Sequence, residues 1–249
     1  MASPTHRIRL DALLVARGLA ASQAEAEALI RAGEVRSGDR RLDKPGQSVK
    51  ADISLEVKSR RGHAWVSRGG LKLEGALKIF SLSPEGCIAA DIGASTGGFT
   101  DVLLQHGAAK VYAVDVGYGQ LDWKLQQDPR VVVLDRTNAR HLTREQIPEP
   151  PAFIVSDVSF ISLRTALPAV LSLAALGAIC VALIKPQFEL PKEDIPDGGV
   201  VTDAALHEKA CHLVKDWVLS QEYTVLGITE SPITGQKGNQ EFLIGFQLP

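Results

Sequence analysis

Asp91-Ile-Gly-Ala-Ser-Thr-Gly-Gly-Phe99 decides the fold. The segment closes an apolar run, Ile88 to Ile92, that reads as a strand, and it opens Phe99 to His106, whose apolar spacing is helical. A strand, a glycine turn and a helix in that order form the first unit of a parallel sheet. The rhythm continues with strands at 111–116, 131–134 and 153–156, a helix at 167–176, a strand at 178–184 and a helix at 205–220. Residues 224–229 and 241–246 complete it as an antiparallel pair. Alternation of this kind predicts an α/β fold with helices on both faces of a mostly parallel sheet.

The glycines set the expectation for a ligand. A dinucleotide fingerprint needs G-x-G-x-x-G, whereas here Gly93, Gly97 and Gly98 stand at a different spacing. A carboxylate at Asp91 would also repel a pyrophosphate placed on this turn. It suits a ligand with a cationic amino group and no phosphates, and S-adenosylmethionine is such a ligand. The loop residues Gly93, Ala94, Ser95, Gly97, Gly98 and Phe99 are then its cradle. Asp115, ending the next strand, is placed to accept ribose hydroxyls, and Asp135, ending the one after, lies where an adenine edge belongs.

The methyl acceptor is read from the other strand ends. Methylation of exocyclic amines uses an Asn/Asp-Pro-Pro-aromatic turn after the fourth strand, and methylation of pyrimidine carbon uses a cysteine nucleophile; neither pattern is present. The fourth strand ends in Ser156-Asp157-Val-Ser-Phe160 and the next in Ile184-Lys185-Pro186. An aspartate and a lysine therefore sit at neighbouring C-terminal strand edges, the ligand-binding side of such sheets. A lysine ammonium in a partly dry cleft beside another cation gives up its proton more readily, and can act as a base on a weakly acidic sugar hydroxyl.

Lys72, Asp157, Lys185 and Glu241 resemble the Lys-Asp-Lys-Glu tetrad of FtsJ-type ribose 2′-O-methyltransferases. The segments Trp65-Val-Ser-Arg-Gly-Gly-Leu-Lys72-Leu, Ser156-Asp-Val-Ser-Phe-Ile161, Lys185-Pro-Gln-Phe-Glu189 and Lys237-Gly-Asn-Gln-Glu241 are similar to those of the TlyA family. The resemblance spans nearly the whole chain. It implies a Rossmann-like S-adenosylmethionine-dependent methyltransferase that modifies cytidine 2′-hydroxyls of ribosomal RNA, in a family long labelled hemolysins. In that reading Lys185 accepts the hydroxyl proton, Lys72 and Glu241 orient it, and Asp157 holds the lysine and substrate in line.

Arg7 to about Lys58 carries two helical patterns and then short strands. Leu10, Leu13 and Leu14 end at Gly18; Ser22 with Glu25 forms a capping box for a second helix ending at Gly33; residues 34–57 read as a small twisted sheet. Arg9-Leu-Asp11, Gly18, Ser22, Leu29-Ile30, Gly33, Val35, Gly38 and Lys44-Pro45 resemble the alpha-L RNA-binding module. Gln23, Ser37 and Thr202 depart from the family patterns, which have Arg, Asn and Arg there. The expected domains are 1–60, a linker 61–68, and 69–249.

Charge supports the division. The chain's 27 basic and 29 acidic residues give −2, yet residues 1–66 hold 12 basic and 8 acidic (+4) and the remainder 15 and 21 (−6). A basic part joined to an acidic one is a prior for nucleic-acid contact by the former. The expected RNA-contacting residues are Arg7, Arg9, Arg17, Arg31, Arg36, Arg40, Arg41 and Lys44, with Arg60, Arg61 and Arg68 leading to the active site. Three unpaired cysteines and no zinc spacing predict no metal and no disulfide, and with the lack of an apolar leader they predict a cytoplasmic protein working on ribosomal RNA or ribosomal subunits.

Two rival readings follow. A membrane-active hemolysin needs an inserting segment, and Thr165 to Ile184 runs twenty residues without a charge. Pro168, Ser172 and Gly177 interrupt it, so it divides better into a helix and a buried strand, with no membrane span. An RNA-binding protein with an inactive methyltransferase fold is disfavoured by the intact tetrad.

Overall fold

A computed structural model of the chain describes residues 7–17, 19–20, 22–31, 33–38, 40–57 and 65–249, and the chain divides into two units, Met1–Gly62 and His63–Pro249. Gly18, the predicted end of the first helix, lies outside the described residues, as do Arg60 and Arg61. The first unit starts with a strand, β1 (Arg7–Arg9), ahead of the predicted helix, which is α1 (Leu10–Ala16). Local spacing does not reveal β1, because its partner is β4, forty residues on in sequence. Helix α2 (Gln23–Arg31) begins as predicted, with the Glu25 N–H donating to Ser22 Oγ at 3.2 Å.

Strands β2 (Val35–Ser37), β3 (Arg40–Arg41), β4 (Ser48–Lys50) and β5 (Glu56–Val57) make two small sheets in place of the single expected one: β1-β4, and β3-β2-β5. Leu10, Leu13, Leu14, Ala26, Ile30, Val35, Leu42 and Val49 form their shared core.

The second unit runs α3 (Gly70–Phe80), β6 (Ile88–Ile92), α4 (Gly98–Gln105), β7 (Lys110–Val114), α5 (Trp123–Gln126), β8 (Val131–Leu134) and β9 (Phe153–Ser156). It continues with α6 (Leu163–Ala166), α7 (Pro168–Ser172), β10 (Ile179–Ile184), α8 (Pro186–Glu189), α9 (Ala204–Ser220), β11 (Thr224–Glu230) and β12 (Phe242–Gln247). The seven strands lie in the order β11-β12-β10-β9-β6-β7-β8. All pairs are parallel except β10 with β12 and β11 with β12. Successive residues of β10 enter opposite cores: Cys180, Ala182 and Ile184 one, Val181 and Leu183 the other. Burial on both faces is why this strand reads as a continuous apolar run.

The uncharged twenty-residue stretch therefore resolves into short elements. Pro168, which cannot donate a backbone hydrogen bond, separates α6 from α7, and Gly177 turns the chain at φ 69° into β10. One helix was expected there and two short ones are found. Among the described residues, no helix is long and apolar enough to cross a membrane.

Strand β6 has β7 on one side and β9 on the other. The chain crosses from one half of the sheet to the other at this strand, and ligands of open α/β sheets bind in the crevice beyond the C-terminal ends at such a point. The loops after β6, β7, β9 and β10 therefore position the site.

Candidate active site

Glycines bring the site together. Gly93 has φ 86°, and a Cβ there would lie 2.8 Å from the Asp157 carbonyl oxygen, so the loop after β6 packs directly on the loop after β9. At Gly98 an added Cβ would lie 2.9 Å from the Gly70 nitrogen. That approach joins the start of α4 to the start of α3 and places Lys72, one turn into α3, at the glycine loop. Trp65 and Val66 fix the chain leading into α3. The indole N–H of Trp65 donates to Glu74 at 3.1 Å, and the Val66 N–H donates to Asp101 at 2.8 Å.

The four residues of the expected tetrad converge. Lys72 Nζ lies 2.6 Å from Glu241 Oε2 and 3.5 Å from Asp157 Oδ2, and Lys185 Nζ lies 2.6 Å from Asp157 Oδ1. Lys72, Lys185 and Glu241 are buried, at 8, 7 and 2% exposure, so these ion pairs are little screened by solvent. The Lys72–Glu241 contact is an ion pair, and Glu241 Oε2 is buried. Lys185 Nζ also donates to Ser159 Oγ at 2.8 Å. Asp157 thus bridges two ammonium groups from different elements, and the cluster as a whole is neutral.

The tetrad lines a cavity of about 460 Å³ together with Gly93, Ala94, Ser95, Gly98, Phe99 and Arg68. A second cavity, of about 650 Å³, is lined by Asp115, Asn138, Val116 and Gln120. Gly93, Ser95, Asp157, Ser159 and Phe160 line both, so the two meet over the glycine loop.

The remaining predicted ligand residues are placed differently. Asp115 accepts the Ser95 and Gly117 N–H groups at 2.8 and 2.7 Å, which ties the ends of β6 and β7 together at the second cavity. Asp135 accepts the Gly119 N–H at 2.8 Å and lines neither cavity. Gly97 also lines neither; Leu121 and Leu125 occupy the space its missing side chain leaves.

Asp91 is fully buried beneath the loop, with one oxygen accepting Thr100 Oγ1 at 2.6 Å and the other without a partner. Burial pushes its carboxyl up to about 7, opposed by the Thr100 hydrogen bond and reinforced by the charges of Asp157 and Asp115.

The motifs around Asp157 and Lys185 also carry residues to which the sequence assigns no role. Phe160 sits at φ 64°, a left-handed conformation costly for an aromatic residue, and is 87% exposed with its ring 5.2 Å from that of Phe188. Both rings line the tetrad cavity. Glu189 of the Lys185-Pro-Gln-Phe-Glu motif turns away. It accepts Ser162 Oγ at 2.6 Å and the Leu163 N–H at 2.8 Å, and burial raises its carboxyl. It therefore anchors α8 to the start of α6.

In the first unit the predicted basic residues divide. Arg17 donates to the Ile53 and Ala51 carbonyls, Arg7 to Ser48, and Arg9 to the buried Asp11, whose carboxyl is held low by that hydrogen bond. Arg31 pairs with Glu27. Among the described residues, Arg36, Arg40, Arg41 and Lys44 form no ion pair, and the last three are exposed.

Comparison with known proteins agrees with this architecture. The FtsJ-like methyltransferase family matches residues 65–248, and the S4 domain matches residues 8–52. The 16S/23S rRNA (cytidine-2′-O)-methyltransferase TlyA of Mycobacterium tuberculosis is 48% identical over 96% of this chain and 89% of its own length. The solved structure of a hemolysin-labelled protein from Streptococcus thermophilus covers 98% of this chain and 90% of its own, at 43% identity and a TM-score of 0.73. An S-adenosylmethionine-dependent methyltransferase from Listeria monocytogenes, 13% identical with a TM-score of 0.55 over 74% of this chain and 100% of its own, shares the fold alone. The chain belongs to the FtsJ-like methyltransferase family, within its TlyA group.

Proposed function

We propose that this protein methylates ribose 2′-hydroxyls of ribosomal RNA in the cytoplasm, cytidine being the nucleotide modified by its M. tuberculosis relative, and that S-adenosylmethionine is the methyl donor. One observation carries the proposal: a buried Lys-Asp-Lys-Glu cluster whose cavity shares Gly93, Ser95 and Asp157 with the Asp115 cavity. The cofactor, when bound, supplies an electrophilic methyl group on a sulfonium. Its nucleoside suits the Asp115 cavity, whose carboxylate keeps lone pairs free for ribose hydroxyls after accepting two backbone N–H groups. Gly93, Ala94, Ser95, Gly98 and Phe99 form the backbone cradle, Gly97 packs the loop onto Leu121 and Leu125, and Asp135 holds the loop after β7 from outside. Asp91, fully buried and lining neither cavity, supports the glycine loop from beneath through Thr100.

Lys185, entering the step as the neutral amine after its ammonium proton is released to solvent, receives the 2′-hydroxyl proton at Nζ as the oxygen gains the methyl group. Asp157 and Ser159 fix that nitrogen, at 2.6 and 2.8 Å, while Lys72 and Glu241 hold Asp157 and the attacking oxygen. Positioning is the larger physical contribution, because methyl transfer requires oxygen, carbon and sulfur in line. The open Phe160 ring at the cavity mouth is a surface on which an unstacked base can rest, and sequence-specific RNA readers commonly use such a face. RNA is drawn in by the exposed basic residues of the first unit and by Arg68, through phosphate contacts that position without reading sequence.

Mapping 2′-O-methyl marks on ribosomal RNA with and without the protein tests the reading. A mark is lost on deletion, returns with the wild-type protein, and does not return with Lys185→Ala, which still binds S-adenosylmethionine. Unchanged marks on deletion sink the function, and restoration by Lys185→Ala sinks the assignment of the base.

A further inference from the structure

One wall of the tetrad cavity comes from an irregular segment that includes Ile195, Gly198 and Gly199. Gly198 and Gly199 have φ 89° and 74°, so the segment carries two adjacent residues of high conformational freedom and needs an external tie to hold one shape. Asn239 supplies it. Its side chain, in a residue only 4% exposed, donates from Nδ2 to the Gly199 carbonyl at 3.0 Å and accepts the Val201 N–H on Oδ1 at 2.9 Å. The two bonds together fix the orientation of the amide, since oxygen and nitrogen cannot exchange places without losing both.

The turn that bears Asn239 also holds Glu241. The Gly235 N–H donates to the Asn239 carbonyl at 2.8 Å, and the Ser231 N–H to the Glu241 carbonyl at 2.9 Å. A Cβ on Gly235 would lie 2.1 Å from Glu241 Oε1, so this turn also packs against the carboxylate that pairs with Lys72. We propose that Asn239 is a positioning residue for methyl transfer: it locks the Gly198–Gly199 wall to the turn that carries Glu241, so that the wall against which the substrate lies and the tetrad keep one spacing. The inference rests on the methyltransferase reading of the same site. A displacement of about 1 Å at a reacting centre costs on the order of 100-fold in rate, and two bonds to the wall are what Asn239 contributes against it.

The test uses the full chain, ribosomal subunits and S-adenosylmethionine. Asn239→Ala is expected to lower kcat by about 10- to 100-fold while cofactor affinity stays within about 2-fold, because the amide's hydrogen bonds go to Gly199 and Val201 and not to the glycine loop. Hydrogen exchange at the Val201 amide is expected to accelerate in the variant. Asn239→Asp keeps the acceptor for Val201 but sets a buried carboxylate oxygen against the Gly199 carbonyl, and is expected to be no more active than Asn239→Ala. If Asn239→Ala does not fold, Gly199→Ala decides. It strains the same segment at positive φ with open space around the new methyl, and is expected to lower kcat with cofactor affinity intact. An Asn239→Ala kcat within about 2-fold of wild type, or a cofactor affinity that falls in step with kcat, overturns the proposal. Wild-type protein that methylates no ribosomal RNA overturns the functional reading instead.

Discussion

The lysines of the tetrad and the arginines of the first unit carry the same charge in opposite settings. Lys72 and Lys185 are buried and held against Asp157 and Glu241, whereas Arg40, Arg41 and Lys44 are exposed and without an ion-pair partner among the described residues. A buried cation must be neutralised by its neighbours, so its geometry is rigid and its removal strands a charge. An exposed one is solvated and free to meet a mobile polyanion, at little consequence for folding. Burial, more than residue type, separates the charges proposed as catalytic from those proposed to dock RNA.

The largest expected effect lies in the buried cluster. Lys72→Met leaves Glu241, 2% exposed, without its cation and is expected to cost roughly 3–5 kcal/mol of stability along with activity. Lys72→Met/Glu241→Gln removes both charges and is expected to regain most of that stability while remaining inactive. Urea unfolding of the three proteins measures this. A double variant no more stable than Lys72→Met would show that the pair is not the source of the loss.

How far each region was legible in the sequence follows from the same contrast. The parallel sheet could be read because its strands are apolar on both faces and punctuated by glycines, and β6, β8 and β9 appear at their expected residues. Asp157 and Lys185 were legible as strand-end residues, whereas Lys72 and Glu241 were reached only through family resemblance: they are 169 positions apart, and no local rule joins them. Strand β1 was missed because its pairing is nonlocal, and the wall held by Asn239 because an irregular glycine segment has no periodicity to detect. The basic residues of the first unit were read as a set, but the structure spends Arg7, Arg9 and Arg17 on internal hydrogen bonds. Charge counting does not distinguish an exposed arginine bonded to its own unit from an exposed one with no such partner.

Asp91 offers a second, smaller test of burial against charge. Its carboxyl is raised from 3.8 to about 7, so between those values the folded protein keeps a proton that the unfolded chain releases. Stability attributable to Asp91 is therefore present at low pH and falls as pH rises from about 4 to about 7, by on the order of 4 kcal/mol if the whole shift is realised. Asp91→Asn retains an acceptor for Thr100 and cannot ionise. Its Tm minus that of wild type is expected to grow across this window and level off above it. Carboxylates not coupled to Asp91 titrate equally in both proteins, so parallel Tm curves would mean that Asp91 is ionised without penalty.

The smallest stability effects belong to the arginines with neither an ion pair nor a side-chain hydrogen bond among the described residues, and there the comparison can be broken within one unit. Arg36→Ala, Arg40→Ala and Arg41→Ala should each change stability by no more than about 0.5 kcal/mol. Combined, they should weaken RNA binding and reduce the slope of log affinity against log salt by up to about 0.9 for each phosphate that is no longer neutralised. Arg17→Ala should do the reverse. Its guanidinium donates to the Ile53 and Ala51 carbonyls at 2.6 and 2.5 Å, so its loss should cost about 1 kcal/mol of stability and leave the salt slope unchanged. Filter binding to ribosomal subunits at several salt concentrations, beside thermal unfolding, separates the two classes. If Arg17→Ala flattened the salt slope as much as the triple variant without loss of stability, an internally bonded arginine would be docking charge after all. The division by hydrogen-bond partner would then give way to one by position on the surface.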